Sequence, residues 1–187
     1  FDTRDSSLVE GAKPVLADVL FIEGTYGGRY HPDKLEETER FLEAVDRVVR
    51  RGGTVLIPAF ANGRTQDVVM ILHKHRPHLN VHVDGMGKRV AKNHLSHPSF
   101  LKDASELERA WRWAKKVSSK SDKKKALGAD VIVSTSGMLE GGPALWYLNR
   151  LRHDRKNAVF FTGYQAEGTG GRDLLETSHL NIYRERV

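Results

Sequence analysis

Five times along this chain a short apolar run gives way to a polar, glycine-bearing loop, and a helix-like stretch follows. The clearest run is Asp130-Val-Ile-Val-Ser134, followed by Thr135-Ser-Gly-Met-Leu-Glu-Gly-Gly142 and a periodic segment opening at Pro143. A strand without a polar face must be covered on both faces. Helices placed between successive strands supply that cover and make the strands parallel. The pattern therefore predicts an α/β fold, a mostly parallel sheet flanked by helices on both faces.

The other strand candidates are Leu16–Ile22, Thr54–Phe60, Asn80–Val83 and Asn157–Thr162, with a last one near Leu180–Tyr183. Asp33 to Arg51 is the clearest helix. Asp33-x-x-Glu36 resembles a capping box, Leu35, Thr38, Phe41, Leu42, Val45, Val48 and Val49 make one stripe, and Gly52 or Gly53 supplies the stop. Further helices are expected at Thr65–His75, at 88–95 before Pro98, from a second capping box at Ser105-x-x-Glu108 on through Val117, and from Gly142-Pro143 with Leu145, Leu148 and Leu151 facing the core. Pro58 lacks an N–H, so the second strand should leave its ladder there.

In a parallel sheet every strand-to-helix loop lies at the carboxyl edge, where ligands of such folds bind. Loops 58–64, 84–88, 134–142 and 163–171 should gather at that edge, with Arg64, Lys88, Arg89 and Arg172 on it or beside it. Glycines admit a phosphate to the backbone, helix N-termini add partial positive charge, and Ser134, Thr135 and Ser136 add hydroxyls. A βα turn with no ligand is the plain alternative for loop 134–142. Glu23, a carboxylate at a strand end before Gly24 and Gly27, is structural or functional.

The net charge of +6 favours an anionic partner, and nucleic acid is the commonest. Residues 115–125 carry six lysines and one aspartate, a run expected to be a solvated, mobile loop. Cysteine is absent, which excludes disulfides, thiolate-bound zinc and a cysteine nucleophile, and fits a cytoplasmic protein. No apolar run approaches the ~20 residues of a membrane helix. No dinucleotide fingerprint, P-loop or nucleophile elbow occurs. His73-x-His75-x-x-His78 crosses a turn at Pro77 and reads as a basic surface, and His82 as a strand residue at the surface or the sheet edge. Residues 1 to 187 alone do not assemble a zinc hydrolase site. The polar start at Phe1-Asp-Thr and the uncapped end at Val187 predict that both ends lie inside a longer protein.

Four motifs in order carry a resemblance: Glu23-Gly-Thr-Tyr-Gly27, Arg51 to Gln66 (Arg-Gly-Gly-Thr-Val-Leu-Ile-Pro-Ala-Phe-Ala-Asn-Gly-Arg-Thr-Gln), Ser134-Thr-Ser-Gly-Met138, and Phe161-Thr-Gly-Tyr-Gln-Ala-Glu-Gly-Thr169. Over essentially the whole chain the sequence resembles the β-CASP nucleases of the metallo-β-lactamase superfamily, above all archaeal relatives of the pre-mRNA cleavage and polyadenylation endonuclease. The resemblance implies a β-CASP domain inserted into a metallo-β-lactamase domain that holds two zinc ions, with RNA lying between the two. It implies residues 1–27 as a metallo-β-lactamase flank and 28–187 as mostly β-CASP domain. Glu23 takes the place of the family's acidic motif A, which orients a histidine thought to act as general acid. The His-x-His-x-Asp-His zinc signature is absent from these residues, and His179 lacks the context of a family ligand.

The implied function is an RNA clamp of a zinc-dependent ribonuclease in RNA 3′-end processing or decay, inactive by itself and binding no zinc. Arg64, Ser134, Ser136, Gly137, Gly163 and Arg172 are the expected RNA phosphate contacts. Expected partners are single-stranded RNA and the rest of the metallo-β-lactamase domain, with a second copy of the chain kept open and no membrane. The rival is a non-catalytic RNA-binding or scaffold subunit. A weaker one is a nucleotide-binding enzyme domain using loop 134–142.

Overall fold

The computed structural model describes residues 2–182 and 185–186, with side chains through residue 180. Five strands form one all-parallel sheet: β1 (Val55–Pro58), β2 (Val81–Asp84), β3 (Lys115–Lys116), β4 (Val131–Ser134) and β5 (Ala158–Val159), in the order β3-β2-β4-β1-β5. Seven α-helices accompany them among the described residues: α1 (Lys34–Arg50), α2 (Arg64–His75), α3 (Gly87–Leu95), α4 (Ala104–Trp113), α5 (Lys120–Lys125), α6 (Gly142–Leu151) and α7 (Gly170–Thr177). A two-residue antiparallel pair, β6 (Asn181–Ile182) with β7 (Glu185–Arg186), lies where the last strand was expected; Tyr183 is outside the described residues.

Alternation along the strands sorts the side chains into two cores. Val55, Ile57, Val81, Val83, Val131 and Val133 pack under α1, α2 and α4. Leu56 and Ile132 point the other way, under Tyr147, Leu148 and Leu151 of α6. The fold is therefore the three-layer α/β arrangement expected from the sequence.

Pro58 behaves as expected, and the hydrogen bonds show why. The N–H groups of Val55 and Ala59 donate to β4-side carbonyls, Asp130 and Ser134. Even-numbered positions of β1 face β5, where Phe160 N–H donates to the Leu56 carbonyl at 2.9 Å. The next bond of that ladder would need an N–H on Pro58. So β5 stops at Val159, short of the expected Thr162.

Five expectations are corrected. Leu16–Ile22 forms no strand here: residues 12–36 are exposed throughout, with Leu16 at 105% and Phe21 at 94%, because no neighbouring strand among the described residues offers a ladder. Leu35, near the start of that helix stripe, is likewise exposed. Helix α4 is capped by Asp103, whose carboxylate accepts from Glu106 N–H, while the Ser105 hydroxyl donates to that same carboxylate. The helix also ends at Trp113, and Lys115–Lys116 pair with His82 and Val83 as the edge strand. The lysine run is not a mobile loop but β3 followed by α5, the latter closed by a reciprocal Ser119–Asp122 capping box.

Candidate nucleic-acid interface

The site follows from the strand order. β1 and β4 are neighbours, yet their outgoing chains part: β1 leads to α2 on the first face, β4 to α6 on the second. That divergence leaves a crevice beyond the carboxyl ends, the usual ligand position of an open parallel sheet. Loop 59–63 forms one lip and loop 135–141 the other.

Small residues let the lips close. A Cβ on Gly137 would stand 2.9 Å from the Phe60 nitrogen, and one on Gly163 would stand 2.9 Å from Phe60 Cε2. Gly85 (φ +94°) passes against Thr135, whose Oγ1 accepts from Met86 N–H at 3.1 Å. The Thr65 hydroxyl donates to the Phe60 carbonyl (2.7 Å), and Gln66 Nε2 donates to the carbonyls of Ala61 (3.1 Å) and Gly87 (3.0 Å).

Gln165, nearly fully buried, binds the remaining loops together. Its Nε2 lies at 3.0 Å from the Gly137 carbonyl, 3.1 Å from that of Gly163 and 3.0 Å from that of Tyr164. Gly171 N–H donates to the Met138 carbonyl, and Gly170 N–H to the Glu140 carboxylate at 2.7 Å. Glu140 thus occupies the start of α7.

The sequence-predicted residues divide into two groups. Arg64, Ser136, Gly137 and Gly163 come together at the crevice. Arg64 is exposed, the first residue of α2, and lies 3.5 Å from Asp67. Ser136 is half-buried beside Gly137. Ser134 is fully buried within β4, so its hydroxyl does not reach the surface. Arg172 sits on the first turn of α7, held by Glu176 at 2.6 Å, whose carboxylate raises the guanidinium pKa. Glu23 lies in the exposed segment, where its Oε2 accepts from Thr25 N–H at 2.9 Å. Three residues on, the Tyr26 ring meets Tyr164 edge-on at 5.8 Å, which brings the segment beside the crevice.

Three features were not foreseen. Phe60 and Tyr164 stand exposed at the crevice. Gln165 hides as one polar residue in a glycine-rich loop, with nothing local to mark it. The third is Asp84, buried at the end of β2. It accepts from Tyr147 Oη (3.1 Å) and from Gly85 N–H (2.7 Å), and is faced by Lys88 (3.3 Å) and Lys123 (4.0 Å). Burial first, then the Asp84 charge, pushes the Tyr147 phenol far up, so it remains a donor. An open groove of about 730 Å³ leaves the crevice at Arg64 and Gly163 and runs along Phe41 and Phe160 toward α1.

No group of three or more His, Asp or Glu among the described residues is placed to hold a metal. His73 packs against Trp113 instead, and burial lowers the pKa of His82.

The Beta-Casp domain model matches residues 65–174, more than half of the sequence. The chain belongs to the β-CASP family. It is 36% identical to "Probable RNase MJ4" of Methanocaldococcus jannaschii, over 98% of this chain and 45% of that one. It is 38% identical to "RNase aCSPSF2" of Saccharolobus solfataricus, over 89% of this chain and 34% of that one. It is 37% identical to "Transcription termination factor FttA" of M. jannaschii, over 84% and 27%. The β-CASP chain spans less than half the length of these relatives. No helix among its described residues is long and apolar enough to cross a membrane.

Proposed function

We propose that this chain is the RNA-clamping β-CASP domain of a larger ribonuclease, cytoplasmic and acting in RNA processing or decay. The observation that carries this is the convergence of loops 59–63, 135–141 and 163–165 at one switch-point crevice, with Arg64 at its rim. Arg64, Ser136 and the backbone at Gly137 and Gly163 hold phosphates there. Arg172, already paired with Glu176, contributes its charge from beside the crevice.

Residues 1–27 are the metallo-β-lactamase flank, and the exposed apolar side chains of Val15, Leu16, Phe21 and Ile22 pack on the rest of that domain. Glu23 then reaches the junction between the two domains. The two zinc ions that the family resemblance implies are assigned in this proposal to the remaining part of the protein, and no catalytic step is assigned to this chain.

Photo-crosslinking with a 4-thiouridine-substituted single-stranded RNA tests the placement. Adducts are expected within 59–64, 135–141 and 163–165. Adducts confined to the lysine segment 115–125 would contradict it.

A further inference from the structure

Two large aromatic side chains at the crevice belong to neither core. Phe60 is 37% exposed and Tyr164 is 41% exposed, and neither packs into the cluster on its own face of the sheet. Both are nonetheless fixed in place. The Phe60 carbonyl accepts from the Thr65 N–H and hydroxyl, which pins its backbone at the end of β1. Its ring lies in a notch between two glycines: a Cβ on Gly137 would come within 3.2 Å of Phe60 Cγ, and one on Gly163 within 2.9 Å of Cε2. Tyr164 directly follows Gly163. Its carbonyl accepts from Gln165 Nε2, and its ring takes Tyr26 edge-on.

An exposed ring held rigid by its surroundings loses little conformational freedom when something packs on it. Flat apolar faces next to a cation suit a ligand that is aromatic at one end and anionic at the other. Arg64 is four residues beyond Phe60, on the first turn of the helix that the Phe60 loop enters. Ser136 directly precedes Gly137, the glycine against which Phe60 lies. Single-stranded nucleic acid combines these two chemistries at every residue, with bases to stack and phosphates to pair.

We propose that Phe60 and Tyr164 form a platform on which successive bases of single-stranded RNA stack, while Arg64 and the loop 135–141 hold the backbone. The inference rests on the RNA-clamping reading and adds to it the means by which bases, and not only phosphates, are gripped. Stacking on aromatic rings is tolerant of sequence, because every base has a π-face.

The test compares a single-stranded oligoribonucleotide with an abasic strand of the same length, hence the same phosphates, in binding titrations with the whole 187-residue chain at several salt concentrations. The base-bearing strand should bind more tightly, by about 5- to 150-fold for each base stacked. Phe60→Leu and Tyr164→Leu keep side-chain bulk and remove the π-face. Each should narrow that preference while leaving the salt slope alone, whereas Arg64→Ala should reduce the slope and leave the preference. Equal binding of the two strands by the unaltered chain, with a steep salt slope, would overturn the stacking while the phosphate clamp stands. That is also the result expected if the rings instead dock an apolar protein surface. An undiminished preference in both leucine variants would overturn it too. Salt-independent binding, or none, would overturn the clamp itself. The abasic comparison uses unaltered protein, so a poorly folded variant does not blunt the test.

Discussion

Gln165 shows how much one side chain can hold at the crevice. Its amide nitrogen supports three backbone carbonyls from two loops, and it is buried where water cannot replace it. Leaving a buried acceptor unsatisfied costs about 1–3 kcal/mol. Gln165→Leu should therefore lower the unfolding free energy by at least about 1 kcal/mol, seen as a lower urea midpoint at unchanged m value. A midpoint equal to that of the unaltered chain would mean the loops are held by packing alone. Gly171 belongs to the same arrangement, since a Cβ there would fall 1.8 Å from Gln165 Oε1. None of this could be foreseen from a Gly-Tyr-Gln-Ala-Glu-Gly string, because the carbonyls Gln165 meets come partly from residue 137, which only the β4–β5 crossover brings near.

At the level of elements, the sequence was informative wherever the deciding interaction was local. Asp33 caps α1, accepting from Leu35 and Glu36 N–H, as the spacing implied. Pro58 ends the β1–β5 ladder for a reason contained in its own ring. Sequence reasoning failed where two local signals competed or where the partner was remote. Asp103 and Ser105 both suit an N-cap, and the carboxylate wins: it accepts from Glu106 N–H at 2.9 Å and from the Ser105 hydroxyl at 2.7 Å. Asp103→Ala should cost about 0.5–2 kcal/mol of stability and Ser105→Ala clearly less, measured by thermal or urea unfolding. The reverse order would restore Ser105 as the cap. Lys115–Lys116 carry no strand signal and pair only because β2 presents an open edge. The lysines of α5 look like a solvated run, and the Ser119–Asp122 box makes them helical. Leu16–Ile22 has every local mark of a buried strand and, among the described residues, none of the neighbours.

Over the whole molecule, one topological fact positions the site. β1 and β4 are adjacent, their connections run to opposite faces, and the loops that carried the family resemblance meet in the gap. Arg64, Ser136, Gly137 and Gly163 were found from the sequence because parallel strands put all their outgoing loops at one edge. Ser134 was placed there too, but it is the last residue of β4 and lies inside the sheet. The central claim is that this edge binds RNA through its phosphates. The most direct measurement is the affinity of a single-stranded RNA for this chain, by fluorescence anisotropy across a series of salt concentrations, for the unaltered chain and for Arg64→Ala. The account predicts an affinity that falls steeply and log-linearly with salt, and a slope reduced by about one in Arg64→Ala, as loss of a phosphate contact requires. An affinity independent of salt, or a slope that Arg64→Ala leaves unchanged, would contradict it.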